Sequence, residues 1–228
     1  MIEFITSFKN TPYYQKLINN PKVLMIYLGG SYCNETASNN SDYDLTIITN
    51  DTKAVDDSKF VFLTYKGKKV HWYHFPIKDF ITGNLREIWL LGSIYFKNFR
   101  ESLIIYKNSL YNELLDKLIT NKDIISNLTI YKFFDTNKFE VKSIIKQITK
   151  YKTSTFSKNI YHLCMCGAYL TNTFDKAILN DIKNNYYRLN IDLQQKALEY
   201  LTLGLDYISN FPVDYRKELN ELYDRISQ

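Results

Sequence analysis

Residues 24–49 read Leu-Met-Ile-Tyr-Leu-Gly-Gly-Ser-Tyr-Cys-Asn-Glu-Thr-Ala-Ser-Asn-Asn-Ser-Asp-Tyr-Asp-Leu-Thr-Ile-Ile-Thr. The apolar run from Val23 to Leu28 stops at Gly29-Gly30-Ser31, and a second run opens on Ser41-Asp42-Tyr43-Asp44-Leu45. Two β-rich runs split by a polar segment predict a buried strand and its neighbour. Asp42 and Asp44 are one residue apart, so on a strand both carboxylates leave the same face, with α-carbons roughly 6.5–7 Å apart. Such a pair repels itself unless a cation lies between. Mg²⁺, with its preference for oxygen and its readiness to keep open positions, fits best. The glycines permit close backbone approach, and Ser31 with the amides that follow can cradle phosphate where a strand gives way to a turn of helix. The alternative is an Asp-x-Asp that only caps a turn beside a hairpin.

The order Gly-Gly-Ser, spacer, Ser-Asp-x-Asp-Leu resembles the DNA polymerase β-like nucleotidyltransferase superfamily, and most closely its minimal nucleotidyltransferase branch. That resemblance covers about the first hundred residues. It implies that Gly29, Gly30, Ser31 and Ser41 belong to the nucleotide site, that Asp42 and Asp44 hold metal, and that an NTP is the donor. It also implies a third carboxylate on a later strand, and an α-helical bundle after the core.

The third carboxylate is missing. Phe60 to Tyr65 and Lys69 to Phe75, joined through Lys66-Gly67-Lys68, read as a hairpin. Alternation along its second strand puts Val70 and Trp72 on one face, His71 and Tyr73 on the other. If the first pair packs on helices, His71 points to the carboxylate face and stands where the family has Asp. Neutral imidazole can ligate a metal or take a proton, so His71 joins Asp42 and Asp44 as a candidate catalytic residue. A nitrogen donor shifts the preference from Mg²⁺ towards Mn²⁺. The competing reading makes His71 a plain strand residue in a degenerate site, and His74 reads as structural. Asp79 and Glu87 are the fallback carboxylates.

The rest of the chain supplies the frame. Apolar spacing over residues 2–20 predicts helix with a break near Pro12, and Ser102 to Tyr106 predicts one more strand before a helix over 111–120. The expected fold is α+β: a mixed sheet of about five strands flanked by helices over residues 1–121, then an α-helical domain over 122–228. Helical periodicity in the second part falls at about 124–134, 137–152, 156–174, 176–187, 192–208 and 214–226. Gly92-Ser93 follows helical periodicity, not a strand, and is no second phosphate loop.

The 228 residues carry a net charge of +5, with 45% hydrophobic content and few Gly or Pro, which excludes a disordered or repetitive chain. The excess of base permits contact with phosphate or RNA without requiring it. Lys138, Lys142, Lys146 and Lys150 recur at four-residue steps and form a basic stripe, read either as a solvated face or as a binding one. Lys158, at the start of a helix, is the candidate for the basic residue that the bundle of similar proteins lends to the nucleotide phosphates. Cys33, Cys164 and Cys166 make no disulfide framework and read as buried thiols, not as a zinc site with His162. The amino terminus lacks the pattern of a signal peptide and no run reaches membrane-spanning length, so a soluble cytoplasmic protein is expected.

These readings predict a metal-dependent transfer of a nucleoside monophosphate to a hydroxyl, with an RNA 3′ end or a protein side chain favoured as acceptor. A degenerate relative that binds nucleotide or a partner without turnover is the alternative.

Overall fold

A computed structural model of the chain describes residues 1–33, 37–50, 64–78, 99–122, 130–131, 134–151 and 158–210, together with 217, 221 and 224. The described residues fall into two compact units. Those up to 122, with 217, 221 and 224, form the first, and those of 130–210 form the second.

The first unit starts with α1 (Ile2–Lys9) and α2 (Pro12–Ile18). Pro12 sits at the first position of α2, where its missing N–H costs nothing, and the Thr11 hydroxyl caps the helix by accepting from the Tyr14 amide at 3.1 Å. β1 (Val23–Gly29) and β2 (Tyr43–Thr49) follow the expected strands. A hairpin joins β3 (Thr64–Tyr65) to β4 (Lys68–Pro76) through Lys66 and Gly67, both at positive φ as a two-residue turn between twisted strands requires. The beginning of the expected hairpin strand, residues 60–63, lies outside the described residues. So do residues 79–98, which include Asp79, Glu87 and the Gly92-Ser93 pair. β5 (Leu103–Lys107) leads to α3 (Asn112–Thr120).

The five strands form one mixed sheet in the order β3-β4-β2-β1-β5. β1 runs antiparallel to both β2 and β5, and β2 runs parallel to β4. Every residue of β1 is buried. Among its fully buried side chains, Leu24, Met25, Ile26 and Leu28 are each worth roughly 1.5–3 kcal/mol of hydrophobic stabilisation. On one face of the sheet, Phe4 and Phe8 of α1 and Leu17 of α2 pack against Val23, Ile26, Leu28, Tyr43, Leu45 and Val70. Phe4 stacks flat on Tyr43 with ring centres 3.9 Å apart, and Trp72 meets the edges of Phe8 and Tyr13. Val70 and Trp72 thus take the helix-covered face, as alternation along β4 predicts.

The second unit contains, among its described residues, α4 (Lys138–Tyr151), α5 (Lys158–Leu170), α6 (Lys176–Asn185) and α7 (Ile191–Ser209). These match four of the six expected helical segments. Of the other two, 124–134 is described only at 130, 131 and 134, and 214–226 only at 217, 221 and 224. The core is built around α5, whose Leu163, Cys164, Cys166 and Ala168 are buried against Ala197, Tyr200 and Leu201 of α7. Cys164 and Cys166 are free thiols, and burial pushes the Cys164 thiol up. His162 is buried in the same helix. No helix among the described residues is long and apolar enough to cross a membrane.

Candidate active site

Strand register brings the candidate residues into one row. Gly29 at the end of β1 pairs with Asp44 on β2, and Asp44 pairs with His71 on β4. Adjacent strands lie about 4.8 Å apart, so the turn after β1, the second carboxylate and the imidazole span only two strand spacings.

Gly29 itself has extended backbone, and the chain turns at Gly30, where φ is +72° and a 3₁₀ turn (Gly30–Tyr32) begins. The Cys33 amide closes it on the Gly30 carbonyl at 3.0 Å. A Cβ on Gly30 would lie 2.1 Å from Oδ2 of Asp44. Only glycine meets both demands, a left-handed φ and a carboxylate packed against the α-carbon. The Ser31 side chain is half-buried, and its hydroxyl has no hydrogen-bond partner among the described residues.

The imidazole of His71 stands between the two carboxylates. Its Nε2 is 3.7 Å from Oδ2 of Asp42 and its Nδ1 is 3.7 Å from Oδ1 of Asp44. Exposure falls along the row, from 45% for the His71 side chain to 34% for Asp42 and 22% for Asp44. Asp44 is therefore the carboxylate whose charge is least hydrated. Burial raises its pKa above the ordinary 3.8 and the like charge of Asp42 adds to that, while His71 and the Tyr73 hydroxyl pull the other way. Tyr73 donates to Oδ1 of Asp44 at 3.4 Å.

Two carboxylates that both approach His71, Asp44 on β2 and Asp42 just before it, fit a hard divalent cation. Asp42 and Asp44 would hold it through carboxylate oxygens, the donor type that Mg²⁺ prefers. No group of three or more His, Cys, Asp or Glu side chains is arranged to hold a metal ion among the described residues. Among the described residues the site offers two carboxylates, and water or phosphate would fill further positions.

Several contacts at this end of the sheet go beyond the sequence reading. Tyr73 shares the His71 face as alternation predicts, but its bond to Asp44 follows from the β2–β4 register, which no local pattern encodes. Lys68 donates its ammonium to the Tyr32 hydroxyl, and Tyr32 in turn donates to the Ser41 carbonyl at 3.3 Å. The Tyr32 ring also stacks on Tyr43, with centres 4.2 Å apart. This brace ties the turn after Ser31 to the segment that delivers Asp42. The Ser41 hydroxyl accepts from the Ser38 amide at 2.8 Å and lies 3.3 Å from the Ser38 hydroxyl. Ser41 thus closes the turn that leads into β2. Lys158 begins α5 in the second unit, and its side chain lies outside the described residues.

Residues 14–71 match the family of the polymerase beta nucleotidyltransferase domain. Among solved structures the chain is similar to a nucleotidyltransferase-like protein from Exiguobacterium sibiricum, at 12% identity and a TM-score of 0.32, over 88% of this chain and 73% of that one. No curated protein matches. The matched segment starts in α2, takes in the glycine turn and the acidic pair, and ends on His71. Residues 14–71, which carry the whole row of candidate side chains, are the part of this chain that the polymerase β nucleotidyltransferase family describes.

Proposed function

We propose that the protein is a metal-dependent nucleotidyltransferase that moves a nucleoside monophosphate from an NTP to a hydroxyl, with release of pyrophosphate. The observation that carries this reading is the contact between the Gly30 α-carbon and the Asp44 carboxylate, because a phosphate-cradling turn and a metal-type carboxylate then share one point of the sheet. A divalent cation on Asp42 and Asp44 would offset the charge of the triphosphate and of the attacked phosphorus. The Ser31 hydroxyl and the amides of the turn bind phosphate oxygens by donating to them. The acceptor oxygen attacks the α-phosphorus, the bond from that phosphorus to the bridging oxygen breaks, and the electron pair leaves with pyrophosphate. His71, the most exposed member of the row and in its neutral form a base, takes the acceptor's proton. Tyr73 holds Asp44 in place. The favoured acceptors are an RNA 3′ end and a protein hydroxyl.

A second reading, a nucleotide-binding relative without turnover, is favoured by one observation: the residue opposite Asp44 on β4 is His71, not a carboxylate. Incubation with each labelled NTP, Mg²⁺ or Mn²⁺ and a cell extract separates the two. Transfer predicts a labelled macromolecule with the wild type and none after Asp42→Asn with Asp44→Asn. The binder predicts NTP affinity without label, and a gain of label in His71→Asp. An absence of NTP affinity in every form would overturn both.

A further inference from the structure

We propose that Tyr32, with Lys68 behind it, is the positioning residue that holds Asp42 in its place as a metal ligand. Asp44 lies within the sheet, between Gly29 of β1 and His71 of β4. β2 begins at Tyr43, so Asp42 precedes the ladder and takes its place from other bonds. The Ser41 carbonyl belongs to the same planar peptide unit as the Asp42 amide, and whatever fixes that oxygen fixes the plane from which the Asp42 α-carbon leaves. The Tyr32 hydroxyl donates to this oxygen at 3.3 Å and accepts in turn from the Lys68 ammonium. A charged donor on the phenol oxygen polarises the hydroxyl and strengthens the bond that it gives.

Both ends of this bond are held. The Tyr32 ring stacks on Tyr43 with centres 4.2 Å apart, and Tyr43 stacks on Phe4 at 3.9 Å, which keeps the phenol in one plane. Ser41 is anchored from its other side, its amide donating to the Ser38 carbonyl at 3.1 Å and its hydroxyl accepting from the Ser38 amide at 2.8 Å. Three parts of the unit therefore meet at one phenol oxygen: the turn after β1, the approach to β2, and the first residue of β4. They carry Ser31, Asp42 and His71, so the brace keeps the outlying carboxylate in line with the rest of the row. Lys66, two residues earlier in the hairpin, gives its ammonium to the Glu3 carboxylate of α1. Lys68 gives its ammonium to a neutral hydroxyl, and its charge acts through that hydroxyl on the peptide before Asp42.

The inference rests on the metal reading of Asp42 and Asp44 and is tested on the full chain with Mn²⁺ alone, the free ion being followed by electron paramagnetic resonance. Tyr32→Phe keeps the stacked ring and removes the hydroxyl. It should weaken Mn²⁺ binding by roughly two- to tenfold, the range of one net hydrogen bond, at an unchanged thermal midpoint. Lys68→Met should weaken it by a smaller factor, although loss of a positive charge from this end of the sheet would by Coulomb attraction alone tighten the hold on a divalent cation. Lys68→Arg, which keeps a charged donor, should bind as the wild type does. Lys66→Met, which removes the same charge from a lysine bound to Glu3, should not weaken binding. Tighter binding in Lys68→Met would overturn the role of the ammonium. Wild-type affinity in Tyr32→Phe, or a loss that comes only with a lowered midpoint, would overturn the positioning role and leave the metal reading standing. A wild type that binds no Mn²⁺ would overturn the metal reading itself, and with it the need for a brace.

Discussion

A methyl group placed on Gly30 and one placed on Gly167 meet an oxygen at the same distance, 2.1 Å. At Gly167, in the last turn of α5, the oxygen is the main-chain carbonyl of Tyr200 in α7. At Gly30, after β1, it is the side-chain carboxylate of Asp44. The first contact joins two helices that cannot part without opening a core, and the second joins a turn to a charged group that can rotate away. The same missing side chain thus serves packing in one unit and a reactive group in the other. A substitution should tell them apart by what is lost.

Gly167→Val carries the largest expected effect on stability. It must push α5 off α7, an overpacking of about 3 kcal/mol or more, and should lower Tm by some 6–12 °C on the scale of a domain this size. Calorimetry would show it, and an unchanged midpoint would mean that the helices yield freely. Replacement of both carboxylates, Asp42→Asn with Asp44→Asn, should instead abolish Mg²⁺-dependent NTP binding and transfer while Tm in metal-free buffer stays level or rises, because two like charges on one face are removed. A drop in Tm with no prior nucleotide affinity would return the pair to a turn-capping role.

Gly30→Ala stands between these extremes. The left-handed φ costs a residue with a Cβ about 1–2 kcal/mol, and the displaced Asp44 should cost NTP affinity more than tenfold. Isothermal titration set against chemical denaturation gives the two numbers separately, and a stability loss without an affinity loss would make Gly30 a second Gly167. Tyr73→Phe should be milder. It removes one long bond to a charged acceptor, worth at most about 1.5 kcal/mol, so transfer should fall by no more than about tenfold, with no change in NTP affinity.

The smallest effect is on pH dependence. Burial first of all raises the Asp44 pKa in the folded chain above its unfolded value of 3.8. Between those two values the folded state holds more proton than the unfolded one, so stability falls as pH rises through that window, and the penalty is fully present above it. Urea midpoints measured in metal-free buffer should carry this slope in the wild type and lose it in Asp44→Asn. The opposite slope would mean that His71 and Tyr73 outweigh burial.

Much of the sheet and of the candidate row was legible because it lies in local patterns. Val23–Leu28 is a continuous apolar run and Tyr43–Thr49 a β-rich one, and the alternation of Val70 and Trp72 with His71 and Tyr73 puts the imidazole on the right face without any knowledge of its neighbours. The partner of β4 was not legible in that way. A hairpin signal names β3 as one neighbour, but neither the parallel pairing with β2 nor the register of Asp44 on His71 leaves a trace in composition or spacing. Tyr73 on Asp44 and Lys68 on Tyr32 depend on that long-range geometry and were missed with it. Ser41 shows the reverse limit: its position suggested phosphate, and only the backbone of Ser38 reveals that its hydroxyl is already engaged.

The strand order has a consequence for synthesis. β1 carries Gly29 at its end and pairs with β2 on one side, but its other side is covered only by β5, with Met25 opposite Lys107. Asn108, just past β5, then fastens the junction by donating to the Val23 carbonyl at 3.2 Å. On a ribosome the row from Gly29 to His71 leaves the exit tunnel well before the strand that closes the sheet. For that interval the most apolar strand of the unit presents an open row of amides and carbonyls, ready to pair with any extended chain nearby.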